Sequence, residues 1–222
     1  MTRLVRKRKF STRGSGSIKY KLLAHTFNNN SRFFSVNFSP NGILFISGSD
    51  DNTIKLWSID GPLIKTFTGH TGAVNSVNFS PDGSSFISGS VDRKIKLWSI
   101  DGHLIRTFTG RDANVVRCVN FSPNGLSFIS GSRDDINLWS IDGPLIRTFT
   151  GHTYDISSVN FSPNGLFFIS GSFDATIKLW SIDNPEPLIR TFIGHTNIVN
   201  SVNFSPDGSS FISGSWDTTI KL

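Results

Sequence analysis

The chain has 222 residues, 37% of them hydrophobic and 12% aromatic, which is enough apolar material for a buried core and too much for a disordered chain. Its formal charge of +6 comes from Arg3, Arg6, Lys7, Arg8, Lys9 and Arg13. Without these, 16 basic residues face 16 acidic ones, which excludes a basic surface over the whole body.

Cys118 is the only cysteine, so an internal disulfide is excluded and a reducing compartment fits. No apolar run approaches the roughly 18 residues that a membrane span needs, and the N-terminus lacks the apolar centre of a secretory signal. An intracellular protein, cytoplasmic or nuclear, is expected. Phenylalanine occurs 20 times, and all but one of the acids are aspartates, the exception being Glu186. Phenylalanine, valine and isoleucine suit strands, while aspartate and glycine suit turns, so the composition points to an all-β protein.

Residues 1–17 read as a basic, solvated and disordered tail. A nuclear-import or nucleic-acid patch and an Arg-rich presequence are its alternatives. Residues 18–23 then read as a lone strand. From there Val-Asn-Phe-Ser-Pro recurs at Val36, Val77, Val119, Val159 and Val202, with spacings of 41, 42, 40 and 43 residues. Such a period marks a repeat architecture. In the second copy, Val77 and Phe79 alternate with Asn78 and Ser80, as a strand requires. Ser80-Pro81-Asp82-Gly83 is a turn, Phe86 to Ser88 a second strand, Ile95 to Trp98 a third, and Leu104 to Phe108 a fourth after Asp101-Gly102. A four-stranded unit of this size cannot bury both faces alone, so the units must stack.

Three features recur in register with these strands. Gly69-His70, Gly151-His152 and Gly194-His195 open units, and Ala24-His25 stands before the first. Asp51, Asp92, Asp134, Asp174 and Asp217 precede the third strand, and Trp57, Trp98, Trp139 and Trp180 close it. On these residues the sequence resembles the WD40-repeat family over residues 18–222. Trp-Ser stands where the family's Trp-Asp dipeptide would be. The third unit departs further, with Arg111 in place of histidine and one residue fewer between Asp134 and Ile136.

The resemblance implies a β-propeller of four-stranded antiparallel blades, with five repeats and the last blade completed by the N-terminal strand. It also implies a hydrogen-bonded tetrad in each blade. His70, Ser88 or Ser90, Asp92 and Trp98 would form one, and His152, Ser170 or Ser172, Asp174 and Trp180 another. His25, Asp51 and Trp57, then Asp134 and Trp139, then His195 and Asp217 are the corresponding residues elsewhere. With Arg111, the third blade is expected to be the weakest complete one. The sequence stops one residue short of the next expected tryptophan. That favours a piece of a longer array, seven blades being the family norm, over a small five-bladed ring.

The resemblance implies a non-catalytic scaffold for a protein or peptide segment. His-Ser-Asp sets that repeat in every competent blade beside tryptophan are structural, since a catalytic triad occurs once. The five histidines are too dispersed for a metal site, no phosphate loop is present, and no cofactor is expected. Cys118 takes the place of Ser35, Ser76, Ser158 and Ser201, as a small buried side chain. Differences between units gather at the approach to the first strand and around the tetrad aspartate, which lie at one end of a propeller. Phe33, Phe34, Asp50, Asn75, Val91, Arg117, Arg133, Tyr154, Phe173, Asn200 and Trp216 are the candidate partner-binding rim. Neutral drift is the alternative, but aromatics and arginines are the side chains that anchor interfaces. A nucleic-acid-associated protein guided by the basic tail is the rival reading.

Overall fold

The computed structural model describes residue 27, residues 30–110 and residues 114–222. The expected lone strand at 18–23, the basic tail, His25 and Arg111 lie outside the described residues. Nineteen described strands form five antiparallel sheets. The first blade is β1 (Phe33–Phe38), β2 (Leu44–Ser49), β3 (Ile54–Ser58) and β4 (Leu63–Phe67). The second is β5 (Val74–Phe79), β6 (Ser85–Ser90), β7 (Lys94–Ser99) and β8 (Leu104–Thr109). The third is β9 (Cys118–Phe121), β10 (Ser127–Gly131), β11 (Asp135–Ser140) and β12 (Leu145–Thr150). The fourth is β13 (Ile156–Phe161), β14 (Phe167–Ser172), β15 (Thr176–Ser181) and β16 (Leu188–Ile193). The fifth has three described strands, β17 (Val199–Phe204), β18 (Phe211–Ser215) and β19 (Ile220–Lys221). Strands follow one another across each sheet in chain order, giving a five-blade, all-β propeller.

The local sequence sets these strands. In the Ser-Pro-Asn/Asp-Gly turns the serine hydroxyl donates to the acid or amide two residues on, as from Ser80 Oγ to Asp82 Oδ1 at 2.6 Å. Gly83 follows at φ +74°, a left-handed conformation that glycine adopts without a Cβ penalty. Ser205 and Ser209 bond Asp207 in the same way and hold its carboxyl down to about 2.

Blades pack face to face through apolar seams. Ile46, Ile54, Leu56 and Phe67 of the first blade meet Val74, Val77, Phe79, Phe86 and Trp98 of the second. The next seams repeat this with Ile87, Ile95 and Leu97 against Val116, Val119 and Phe121, and onward. Trp57, Trp98, Trp139 and Trp180 each stack on the phenylalanine across the hairpin, as Trp98 does on Phe86 at 6.3 Å and 16°. The outer-strand phenylalanine of the preceding blade meets that indole edge-on, as Phe67 meets Trp98 at 5.8 Å. Phe27 takes the corresponding place in the first blade, edge-on to Phe45 at 4.8 Å and to Trp57 at 5.4 Å.

Candidate functional site

The second, fourth and fifth blades carry a directed chain of hydrogen bonds. In the second, Trp98 Nε1 donates to Ser88 Oγ at 2.9 Å, and His70 lies 2.7 Å from the same hydroxyl through Nε2 and 2.8 Å from Asp92 Oδ2 through Nδ1. Asp92 also accepts the Thr71 amide at 3.0 Å. A carboxylate accepts only, so Nδ1 carries the imidazole proton, and Nε2 takes the hydroxyl proton of Ser88. The indole N–H fills the remaining place on that oxygen. The fourth blade repeats this with Trp180, Ser170, His152 and Asp174 at 2.7–2.8 Å. In the fifth, His195 bridges Ser213 at 2.8 Å and Asp217 at 2.7 Å. The serine of the network is therefore Ser88, not Ser90. Ser90 works one turn further on, where its hydroxyl donates to Gly72 O and accepts the Asp92 amide.

The first blade differs. Trp57 Nε1 still donates to Ser47 Oγ at 2.9 Å, but Asp51 Oδ2 pairs with Lys55 Nζ at 2.8 Å, where Asp92 Oδ2 holds a histidine. In the third blade Trp139 bonds Ser130 at 2.9 Å, while Asp134 is exposed on the surface. The missing residue explains this. Asn52, Arg93, Ala175 and Thr218 each follow a tetrad aspartate at φ between 64° and 70°. The third blade has no such left-handed residue and closes a tighter turn, with the Ser132 amide on Asp135 O. The carboxylate of Asp134 is thereby carried away from the sheet. We expect the amides of β9 and β10 to exchange with deuterium faster than those of β5 and β6, and equal protection would contradict this.

Burial lowers the His70 imidazole below its ordinary value, although Asp92 works in the opposite direction. Burial alone would raise Asp92, but the Thr71 amide and His70 more than offset it, and its carboxyl lies below the usual range. Both groups thus bind protons less readily in the folded chain than in the unfolded one. Stability from His70 is fully present above about pH 6.5 and is lost as the pH falls toward its lowered value. Stability from Asp92 is present above about pH 4 and is lost as the pH falls toward its own lowered value. The thermal midpoint should therefore decline in two steps in acid. A midpoint that rises between pH 6.5 and 5 would exclude this account.

Cys118 is buried in the third seam, with its thiol 3.8 Å from Ile156 O. Burial pushes the thiol up to about 12, so it stays protonated and inert at neutral pH.

The two variable loop types do meet at one end of the propeller. In four blades the residue before the tetrad aspartate donates its amide to the loop that leads into the first strand: Asp50 to Arg32 O, Val91 to Ala73 O, Phe173 to Asp155 O and Trp216 to Ile198 O, at 2.9–3.0 Å. At that end Phe34, Val91, Arg133, Tyr154 and Trp216 are exposed, Tyr154 and Trp216 by 65% and 61%. Asn200 and Asp50 are exposed too, and Asp50 accepts the Arg32 amide.

Other rim candidates are occupied within the frame. Phe33 stands at the seam position of Val74, Ile156 and Val199, edge-on to Trp57 at 6.4 Å. Asn75 ties the second blade to Val116 O of the third at 3.0 Å. Arg117 pairs with Asp155 at 2.6 Å and lies 5.0 Å over the Phe173 ring, which is half-buried beneath it. The Arg117–Asp155 pair across the third seam was not foreseen, because 38 residues separate its members.

A cavity of about 350 Å³ lies between the fourth and fifth blades. It is lined by Phe192, Gly194, His195, Phe211, Ser213 and Lys221, at the place where an indole sits in the other blades. It belongs to the frame, away from the variable loops. Among the described residues no cluster of three His, Cys, Asp or Glu could hold a metal ion. No described helix is long and apolar enough to cross a membrane.

Four-stranded blades stacked through aromatic seams, with a repeated Trp-Ser-His-Asp network, define a propeller of the WD-repeat class. The family description "WD domain, G-beta repeat" matches residues 16–58, 61–99, 102–140, 143–181 and 186–222, and the chain belongs to that family. Its members generally serve as non-catalytic scaffolds for protein interaction. Among similar proteins are the "Nuclear distribution protein PAC1" of Candida tropicalis and that of Candida albicans, each 49% identical over 43 residues, or 16% of this chain and 9% of the relative. The "F-box/WD repeat-containing protein 7" of Drosophila melanogaster is 55% identical over 38 residues, or 17% of this chain and 3% of the relative. The chain thus matches less than a tenth of the length of each, about one repeat.

Proposed function

We propose that the chain is a non-catalytic scaffold that binds a protein or peptide segment on the end of the propeller bearing Phe34, Val91, Arg133, Tyr154 and Trp216. One observation carries this reading: large apolar, aromatic and cationic side chains stand exposed there, different in each blade, while the turns at the other end are nearly uniform. Solvent-exposed drift favours polar residues, whereas interfaces favour tryptophan, tyrosine and arginine. Arg117, Asp155 and Phe173 stiffen the seam beneath, so the exposed tips are presented on a rigid floor. A role in assembling a complex inside the cell agrees with the single thiol and with the likeness to nuclear distribution and F-box/WD repeat-containing proteins. We assign residues 18–222 to the WD-repeat unit and residues 1–17 to a separate basic segment.

The test selects peptides from a random phage library on the intact chain and measures them against a variant with Arg133, Tyr154 and Trp216 all changed to serine. These side chains are exposed, so the urea midpoint should hold while affinity falls at least about tenfold, as loss of one or two anchors would give. Unchanged affinity in the folded variant would remove this end as the site.

A further inference from the structure

At the end opposite the variable loops, two turns of each blade adjoin. The amides of Ile59, Ile100, Ile141 and Ile182 donate to the carbonyls of Ile43, Ser84, Leu126 and Leu166 at 3.0–3.1 Å. The position after each Asn/Asp-Gly pair breaks the uniformity of this end. Ser84 and Ser209 stand there in the second and fifth blades, each donating to the second carboxylate oxygen of its aspartate, Asp82 or Asp207, at 2.8 Å. Leu126 and Leu166 stand there in the third and fourth. Asn124 and Asn164 offer no second carboxylate oxygen, so no serine is needed. Nothing in the turn calls for a leucine either, since each asparagine takes only the backbone amide of that residue, at 3.0 Å.

Leu126 and Leu166 are 67% and 52% exposed, on blades that each pack against a neighbour on both sides. Pro123 joins them. It is exposed itself and lies over Gly165, where an added Cβ would fall 3.5 Å from its Cδ. The three side chains make a continuous apolar strip, whereas apolar side chains scattered singly over a surface would carry no such meaning.

Carboxylates border the strip. Asp142 follows Ile141, which is bonded to Leu126, and Asp183 follows Ile182, which is bonded to Leu166. Both acids are exposed, as is Glu186, and none of the three has a side-chain partner among the described residues. The neighbouring cations are engaged. Arg106 donates to Asp142 O, and Arg147 donates to Ile182 O, Asn184 O and Pro185 O at 2.7–3.2 Å. Arg190 lies 5.0 Å over the Phe192 ring. The Arg147 clasp, with the Glu186 amide on Asn184 Oδ1 at 3.0 Å, fixes the longer turn of the fourth blade. Glu186 is thereby presented without a loop to order on binding.

We propose that this strip is a second docking surface, which takes an extended segment of a partner protein with apolar side chains beside lysine or arginine. Charge complementarity selects that occupant. Free carboxylates beside engaged cations repel an acidic segment, and a neutral one leaves Asp142, Asp183 and Glu186 without new partners. A purely basic segment leaves both leucines in water. With one partner at the variable end, the chain then bridges two, one at each end of the propeller.

The test selects peptides from a random phage library on the intact chain and discards those that also bind L126S/L166S. Serine is what Ser84 and Ser209 place at this position, and near-ultraviolet circular dichroism checks that each variant keeps the native fold. The recovered peptides, made synthetically, are measured by fluorescence anisotropy. They should carry leucine, isoleucine or phenylalanine beside lysine or arginine, and should lose at least about tenfold in affinity for L126S/L166S. D142N/D183N/E186Q should weaken them as well. R133S/Y154S/W216S, which alters the variable end, should bind them as the natural chain does, so this proposal and the one for that end stand or fall separately. A selection that returns no leucine-dependent peptide overturns the proposal. So do recovered peptides without basic residues, full affinity for D142N/D183N/E186Q, or lost affinity for R133S/Y154S/W216S.

Discussion

Trp98→Ala is expected to lower the unfolding free energy by about 3–5 kcal/mol, the range for removing a fully buried large aromatic. The indole is stacked on Phe86, meets Phe67 edge-on and lies under Gly69, whose added Cβ would come within 3.2 Å of Cη2. These rings belong to two blades, so the cavity cannot close without shifting a seam. Ser88 also loses the indole N–H while still bonded to His70. Trp216→Ala removes the same side chain from an exposed position, and its effect should stay within about 0.5 kcal/mol. Urea melts of the two variants decide the matter. Comparable losses would mean that the network is not what holds the second blade.

The next largest effect is expected at a residue with no side chain. Gly89→Val places a Cβ 2.6 Å from Val116 Cγ1 and 3.1 Å from Val119 Cγ1, in a seam where neither valine has room to retreat. Overpacking of this kind costs about 3 kcal/mol at the upper end of its usual range. The clash lies between the second and third blades, and the third leaves its tetrad aspartate, Asp134, exposed. Unfolding should therefore lose cooperativity, with the amides of β9 and β10 losing hydrogen-exchange protection before those of β14 and β15. A variant that melts as one unit at the natural midpoint would show that the seam accommodates the added atoms.

Much of this fold was legible because its signals are local and repeated. Val77 and Phe79, Phe86 to Ser88, Ile95 to Trp98 and Leu104 to Phe108 fall within β5, β6, β7 and β8, since alternation and Pro-Asp-Gly or Asp-Gly turns leave few other pairings. The choice between Ser88 and Ser90 was open in sequence because both point to the same face of the strand. Only the distance to Trp98 across the hairpin separates them. Phe33 was read as a rim residue because it differs from its counterparts. Counting three residues back from Val36, as Val74 lies back from Val77, would have placed it at the seam. The ties among Arg117, Asp155 and Phe173 depend on the blade-to-blade rotation, which no single repeat encodes.

The distribution of tryptophans makes the protein its own optical reporter. Trp57, Trp98, Trp139 and Trp180 are dry, each stacked on a phenylalanine and donating to a serine, so they emit at nearly one wavelength. Trp216 alone stands in water, among the exposed tips of the variable end. Its emission falls to the red, and a neutral quencher such as acrylamide reaches it well before the other four. Difference spectra at low quencher thus isolate a single residue in a five-tryptophan protein without any label. Occupancy of the rim can then be followed as shielding of that red component, while the blue component follows the integrity of the blades in the same cuvette.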